Sequence, residues 1–326
     1  MSQALQRALL ARIGAVLAAV LIGVLVAGQA VVNGDLGTVV GDGLTAAVLS
    51  FIVGLLSVGL VVLAGRRRHL LLSFMSQLRA GDIRWWQLGG GFFGAVLVTS
   101  QGAIEPRIGV ALYSTGLVAG AAAGSLAADV KGVGPAGAQP LTLPRLVGAM
   151  GAIFGVAVAA NSSPRVAGTG AGLWAVLTMV AVVLIGAGTS FQTALNGQVA
   201  RMSGDPLVAT FVNFVVGLSL LAMTWCVLAV TGAVAPKPPP TPWENPVIWT
   251  GGIIGVVFIA IASTIVRTLG VLVLGLANVV GQLLGSVVLT LLMPRAGHTL
   301  SAGVYTGIVI TVAAVAVGSI RPRSKT

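Results

Sequence analysis

Gln29-Ala30-Val31-Val32-Asn33-Gly34 returns as Gln192-Thr193-Ala194-Leu195-Asn196-Gly197, 163 residues further along (29 to 192). The same offset carries Gly41-Asp42 onto Gly204-Asp205, Ser50-Phe51 onto Asn213-Phe214 and Gly54 onto Gly217. After a two-residue slip, Gly90-Gly91-Phe92-Phe93-Gly94 matches Gly251-Gly252-Ile253-Ile254-Gly255. Gly120-x-x-x-Gly124-Ser125 then matches Gly281-x-x-x-Gly285-Ser286. Matches that keep their order over half a chain mark an internal duplication. Duplicated hydrophobic halves are a common plan of secondary transporters, with the solute site between them. The expected halves are residues 1–165 and 166–326.

Composition gives the solvent. The chain is 56% hydrophobic and 8% charged, whereas a soluble domain carries about 25% charged residues. Such a chain cannot cover a water-facing surface, so membrane lipid is its expected partner. A net charge of +11 would suggest nucleic acid in a soluble protein. No aromatic-basic motif accompanies it, and Lys and Arg gathered in cytoplasmic loops explain it better. Cys226 stands alone in an apolar run and says nothing of compartment.

A membrane-spanning helix needs about 20 mostly apolar residues. Ten such spans are expected, at 10–32, 43–64, 86–104, 108–129, 144–160, 171–194, 206–232, 247–266, 269–292 and 299–319. They are too long for barrel strands and lack the alternation of one. The first span, with Arg7 and Arg12 ahead of it, resembles a signal peptide. Its counterpart around Gln192 is internal, so the first span is expected to stay in the mature protein. With the N-terminus inside, 14 of the 18 Lys and Arg fall in cytoplasmic segments, which makes both termini cytoplasmic. Five spans per half is odd. The two motif copies would then lie at opposite membrane faces, an inverted repeat. The fold class expected is all-α integral membrane, ten helices as two inverted five-helix repeats. The proline-dense segment from Ala235 to Pro246 reads as a stiff external loop.

Two halves, each with Q-x-x-x-N-G, then G-D-x-L and an apolar S/N-F-x-x-G helix, resemble the drug/metabolite transporter (DMT) superfamily. Within it they resemble the YdcZ-like branch of bacterial inner-membrane proteins. It covers roughly residues 15–320, and the Q-x-x-x-N-G pair is its most specific part. The resemblance implies an EamA-like inverted-repeat fold in the inner (plasma) membrane and transport of a small solute, with a tilt toward export.

Polar groups inside the spans are the candidates for binding. Gln29 with Asn33, and Gln192 with Asn196, lie four apart on one helix face, where their amides can bond a solute or a neighbouring helix. Asn-Gly is also a good helix stop, the preferred reading of Asn33-Gly34 and Asn196-Gly197. Asn213 and its mate Ser50 sit within apolar spans and must face protein or a cavity. Asn278, Gln282 and Ser286 form one polar stripe, and Tyr113 with Ser114 and Thr115 is expected to face it. Glu105 is a candidate coupling carboxylate, but the loop reading, with Pro106 and Arg107 beside it, is preferred. Small multidrug members of the superfamily carry a carboxylate in their first helix. Here that helix offers only Gln29, which argues against simple proton/cation antiport. Asp42 and Asp205 read as helix N-caps, and the glycine motifs as close helix packing.

The expected function is a secondary active transporter of a small neutral or weakly polar solute, working by alternating access. A non-transporting scaffold or partner subunit is the alternative. An enzyme is not expected: no catalytic cluster or metal spacing occurs, and His69 and His298 fall on opposite faces. No phosphate loop or cofactor motif is present. Solute, direction, coupling ion and homodimer formation stay open.

Overall fold

The computed structural model describes residues 3–65, 67–134, 137–138, 140–162, 172–293 and 301–318. Among them all regular structure is helical. The main helices are α1 (Gln3–Val40), α2 (Gly43–Leu63), α3 (Arg67–Ala80), α4 (Gly90–Ala103), α5 (Glu105–Ile108) and α6 (Val110–Val130). They continue as α7 (Leu143–Asn161), α8 (Gly172–Ser203), α9 (Pro206–Val230), α10 (Gly251–Leu292) and α11 (Ala302–Gly318). Seven segments are long and apolar enough to cross a bilayer: Leu10–Val40, Gly43–Leu63, Val110–Val130, Leu173–Ser203, Pro206–Val230, Gly251–Val271 and Val273–Leu292. Leu143–Ala159 and Ala302–Gly318 are shorter apolar helices, and α4 adds 14 residues. Leu17, Leu56, Leu60, Leu184 and Met223 point out of the bundle. That is the outer surface a helical protein shows to lipid.

Glycine decides where these helices stop. Gly41 (φ 75°) ends α1 and Gly204 (φ 78°) ends α8, in the left-handed region open to glycine. The next residue caps the next helix in each case. Asp42 accepts from the Thr45 amide at 2.6 Å, and Asp205 accepts from the Leu207 amide at 2.7 Å. The capping reading of both aspartates is therefore correct. The helix-stop reading of Asn33-Gly34 and Asn196-Gly197 is not: α1 runs seven residues past Asn33, and α8 seven past Asn196. Mid-helix glycine is tolerated where something must approach the backbone closely. At Gly34 that something is the Glu105 carboxylate, which a Cβ would overlap.

A second pair of glycines interrupts helices. Gly109 (φ 85°, ψ 151°) separates α5 from α6. Gly270 (φ 75°, ψ 168°) breaks α10 into two arms. The residues lie 161 apart, the offset that relates Gly90 to Gly251.

Helix α3 was not expected. It is too short and too charged to span, but Leu71 and Phe74 bury one side of it. Arg67 of α3 meets the Asp205 cap at 3.0 Å, tying the segment after α2 to the start of α9. Asp129, at the end of α6, pairs with Arg145 at 2.5 Å. The proline-dense loop is tied to the end of α1, where the Lys237 amide donates to the Val40 carbonyl at 2.8 Å.

The core interlocks the chain's two ends. Helix α1 packs most extensively on α10, and α8 on α6, while α7 pairs with α11. Backbones touch where the glycine motifs fall: a Cβ at Gly120 would overlap the Val183 carbonyl, and one at Gly281 the Val20 carbonyl. These two contacts use positions related by the same 163 and 161 offsets.

Candidate functional site

A narrow cavity lies where α1, α2, α4, α8, α9 and the first arm of α10 meet. Its lining is Gln29, Ser50, Phe51, Gly94, Leu97, Val98, Gln192, Phe214, Gly255, Phe258 and Ile259. Ten of these eleven fall into pairs related by the sequence offsets: Gln29 with Gln192, Phe51 with Phe214, Gly94 with Gly255, Leu97 with Phe258, and Val98 with Ile259. Space between the atoms amounts to about 260 Å³. Most of it is crevice, with room for roughly one water molecule. Phe51 and Phe214 meet at the centre, with ring centroids 4.9 Å apart and planes tilted by 47°. Such a pair adds roughly 0.5–1.5 kcal/mol beyond its burial.

Amides flank the rings on both sides. On the α1 side, Gln29 Nε2 donates to the Gly251 carbonyl at 2.9 Å. Gln101 Nε2 of α4 donates to Gln29 Oε1 at 3.4 Å. Asn33 Nδ2 in turn donates to Gln101 Oε1 at 2.7 Å. On the α8 side, Asn213 Oδ1 of α9 accepts from Asn196 Nδ2 at 3.0 Å and from Gln192 Nε2 at 3.3 Å. All six amide side chains are buried. Buried amides between membrane helices are worth about 0.6–2 kcal/mol each as helix-to-helix bonds. The glycines of α4 and α10 let them in. A Cβ at Gly251 would overlap Asn33 Oδ1, and one at Gly90 would overlap Asn196 Oδ1. At Gly94 and Gly255 it would stand 2.7 Å from Gln192 Nε2 and Gln29 Nε2 respectively.

Five predicted residues, Gln29, Asn33, Gln192, Asn196 and Asn213, thus gather around the cavity. Gln29 and Gln192 line it, and the other three stand behind them. Tyr113 lies apart. Its hydroxyl bonds Ser100 of α4 at 2.6 Å, and its ring packs among Ala30, Leu97 and Leu117. Glu105 is buried, not a loop residue: it opens α5 and its carboxylate rests over Gly34. Its burial follows from Gly34 and from the chain reversal at Gly109. Arg107 beside it is exposed and donates to the Ala103 carbonyl at 2.8 Å. Asn278 and Gln282 do not line the cavity. They sit on the second arm of α10, where Gly23 lets α1 approach so closely that a Cβ there would overlap the Asn278 carbonyl.

Several contributors were not among the expected site residues. Gln101 links Gln29 to Asn33, and Phe51 and Phe214 form the cavity's centre. The phenylalanines carried a signal, since both follow the duplicated Ser50/Asn213 position. Gln101 carried none, because its mate is Ala262. Among the described residues no cluster of three His, Cys, Asp or Glu side chains gathers as a metal site.

No curated protein matches the chain. The family described as "Putative inner membrane exporter, YdcZ" matches residues 14–158 and 177–317. With one set of central amides and one ring inside each matched region, the chain belongs to the YdcZ family of the DMT superfamily, a family of multi-pass inner-membrane proteins.

Proposed function

We propose that the chain is a secondary active exporter of a small neutral or weakly polar solute, working by alternating access around the Gln29–Gln192 cavity. The observation that carries this reading is the paired lining: one cavity built from equivalent positions of two half-chains. Ten crossings as two inverted repeats would make those halves equivalent at opposite faces. Supporting this are the two family-matched regions, which start 163 residues apart (14 to 177), and the glycine breaks at Gly109 and Gly270. The excess of Lys and Arg in alternate loops supports cytoplasmic termini. In this reading the halves, 1–165 and 166–326, rock about Phe51 and Phe214, and the amides hold the solute in turn from each side. Lipid surrounds the bundle. Glu105, buried over Gly34 in contact range of the motif helix, is the group proposed to couple proton movement to transport.

Flux of radiolabelled solutes in proteoliposomes tests the reading. The expected result is uptake for some member of a broad panel, lost in Gln29→Ala and Gln192→Ala. In Glu105→Gln, flux should persist down its own gradient but no longer respond to a pH gradient. Flux of no compound, from a well-folded sample, would sink the transporter reading. The small room in the cavity favours one second reading, a partner subunit that carries nothing. Stable co-purification with another membrane protein would support that reading.

A further inference from the structure

The amides on the α1 side cannot choose their orientation. The group facing Gln29 is the Gly251 carbonyl, so Gln29 must present Nε2 to it. Gln29 Oε1 is then left to accept, and Gln101 must turn Nε2 toward it. Gln101 Oε1 can then take only a donor, and Asn33 supplies Nδ2. A side-chain amide carries one acceptor end and one donor end. One backbone carbonyl therefore fixes all three, and the chain must terminate in an acceptor, Asn33 Oδ1.

That acceptor is unsatisfied. Asn33 is 0% exposed, and Oδ1 has no hydrogen-bond partner among the described residues. Its close neighbour is the Gly251 backbone, whose Cα–H is at most a weak donor. Ser50 Oγ converges on the same point. It too is buried, without a partner among the described residues, and adjacent to Gly251. Ser50 also lines the cavity, and Asn33 lies behind that lining. Leaving a buried polar group unpaired is unfavourable, and the Asn33 oxygen, which can only accept, awaits a donor beside a hydroxyl that can donate or accept.

We propose that the α1 side of the cavity is a binding site for the N–H group of the solute, with Asn33 Oδ1 and Ser50 Oγ as acceptors, which narrows the solute to amides, ureas or amines. The proposal rests on the transporter reading for calling its ligand a transported solute. Its chemistry rests on the amide chain alone. Esters and ethers of the same shape can take the Ser50 hydroxyl proton but lack an N–H, and so leave Asn33 Oδ1 unpaired. A site built to bond a particular polar group discriminates strongly against the analogue without it.

The test uses the full-length protein in detergent and two isosteric pairs: N-methylacetamide against methyl acetate, and N-methylbenzamide against methyl benzoate. Each amide differs from its ester by N–H in place of O. At saturating concentration at least one amide should raise the melting temperature by about 2 °C or more, with its ester silent. Asn33→Leu and Ser50→Ala should abolish that difference, while Ser219→Ala, at an exposed residue of α9, keeps it. Ser50→Ala is a small change and keeps the test valid if Asn33→Leu does not fold. Equal shifts from amide and ester, no shift from either, or amide selectivity that survives both variants would overturn the site. Flux separates this from the transporter reading. Selective binding without passage of any amide defeats transport alone. Passage of compounds without an N–H, with no amide preference, defeats the site alone.

Discussion

The amide clusters on α1 and α8 grow from the same motif but are wired differently. On α1 the third amide comes from α4, Gln101, and the chain ends on a backbone carbonyl. On α8 the third amide comes from α9, Asn213, and both motif amides donate to its one oxygen. Asn213 stands where the first half has Ser50, and Gln101 where the second half has Ala262. These two exchanges account for the difference. With Asn213 at hand, Gln192 bonds a side chain, where its mate Gln29 reaches a backbone carbonyl. Nothing then fixes which way the α8 amides point, since all three could reverse together. Duplicated helices thus supply a common frame, and two substitutions give one side a fixed polarity and leave the other free.

Four predictions would break or sharpen that comparison. The largest effect is expected at the glycines that let the backbones of α2 and α9 approach α10 and α4. A Cβ at Gly252 would overlap the Ser50 carbonyl, whereas one at Gly91 would stand 2.6 Å from the Asn213 carbonyl. Gly252→Ala should lower stability by roughly 2–3 kcal/mol and Gly91→Ala by roughly 1–2, read from denaturation in mild detergent. Reversed order would mean that the α1 side is the looser one.

Next come the linking amides. Gln101→Ala strips partners from both Gln29 and Asn33 and should destabilise by about 1–2 kcal/mol. Adding Ser50→Asn, which imports the α8 arrangement, should recover part of the loss. A double variant no better than the single one would show that the two wirings are not interchangeable.

The caps offer a smaller contrast. Asp42→Ala and Asp205→Ala should each lose about 1 kcal/mol, with Asp205→Ala the worse because it also removes the Arg67 pair. Equal losses would assign that pair no weight. Smallest is Arg67→Ala itself. Arg67 is 42% exposed at its side chain, so the effect should stay under about 1 kcal/mol and shrink further in high salt. A salt-independent loss would argue that Arg67 acts through packing of α3.

Much of this was legible beforehand because it is local. Span positions follow from hydropathy, and the Asp42 and Asp205 caps from a carboxylate just ahead of an apolar run. Helix α3 was missed because its apolar side is only a few residues wide among arginines. Asn33-Gly34 misled because the dipeptide that stops a helix in isolation also suits a helix whose neighbour must come close. Only the packing of Glu105 on Gly34 separates the two cases.

The sequence by itself determined that the chain is helical, apolar and carries one set of motifs twice, since composition and repetition need no partner to be read. Tertiary structure alone decided which amide bonds which, because those partners lie 222 residues apart for Gln29 and Gly251 and 72 apart for Gln29 and Gln101. A hydrogen bond's polarity is set by the group across the helix interface, and no spacing along one helix contains it.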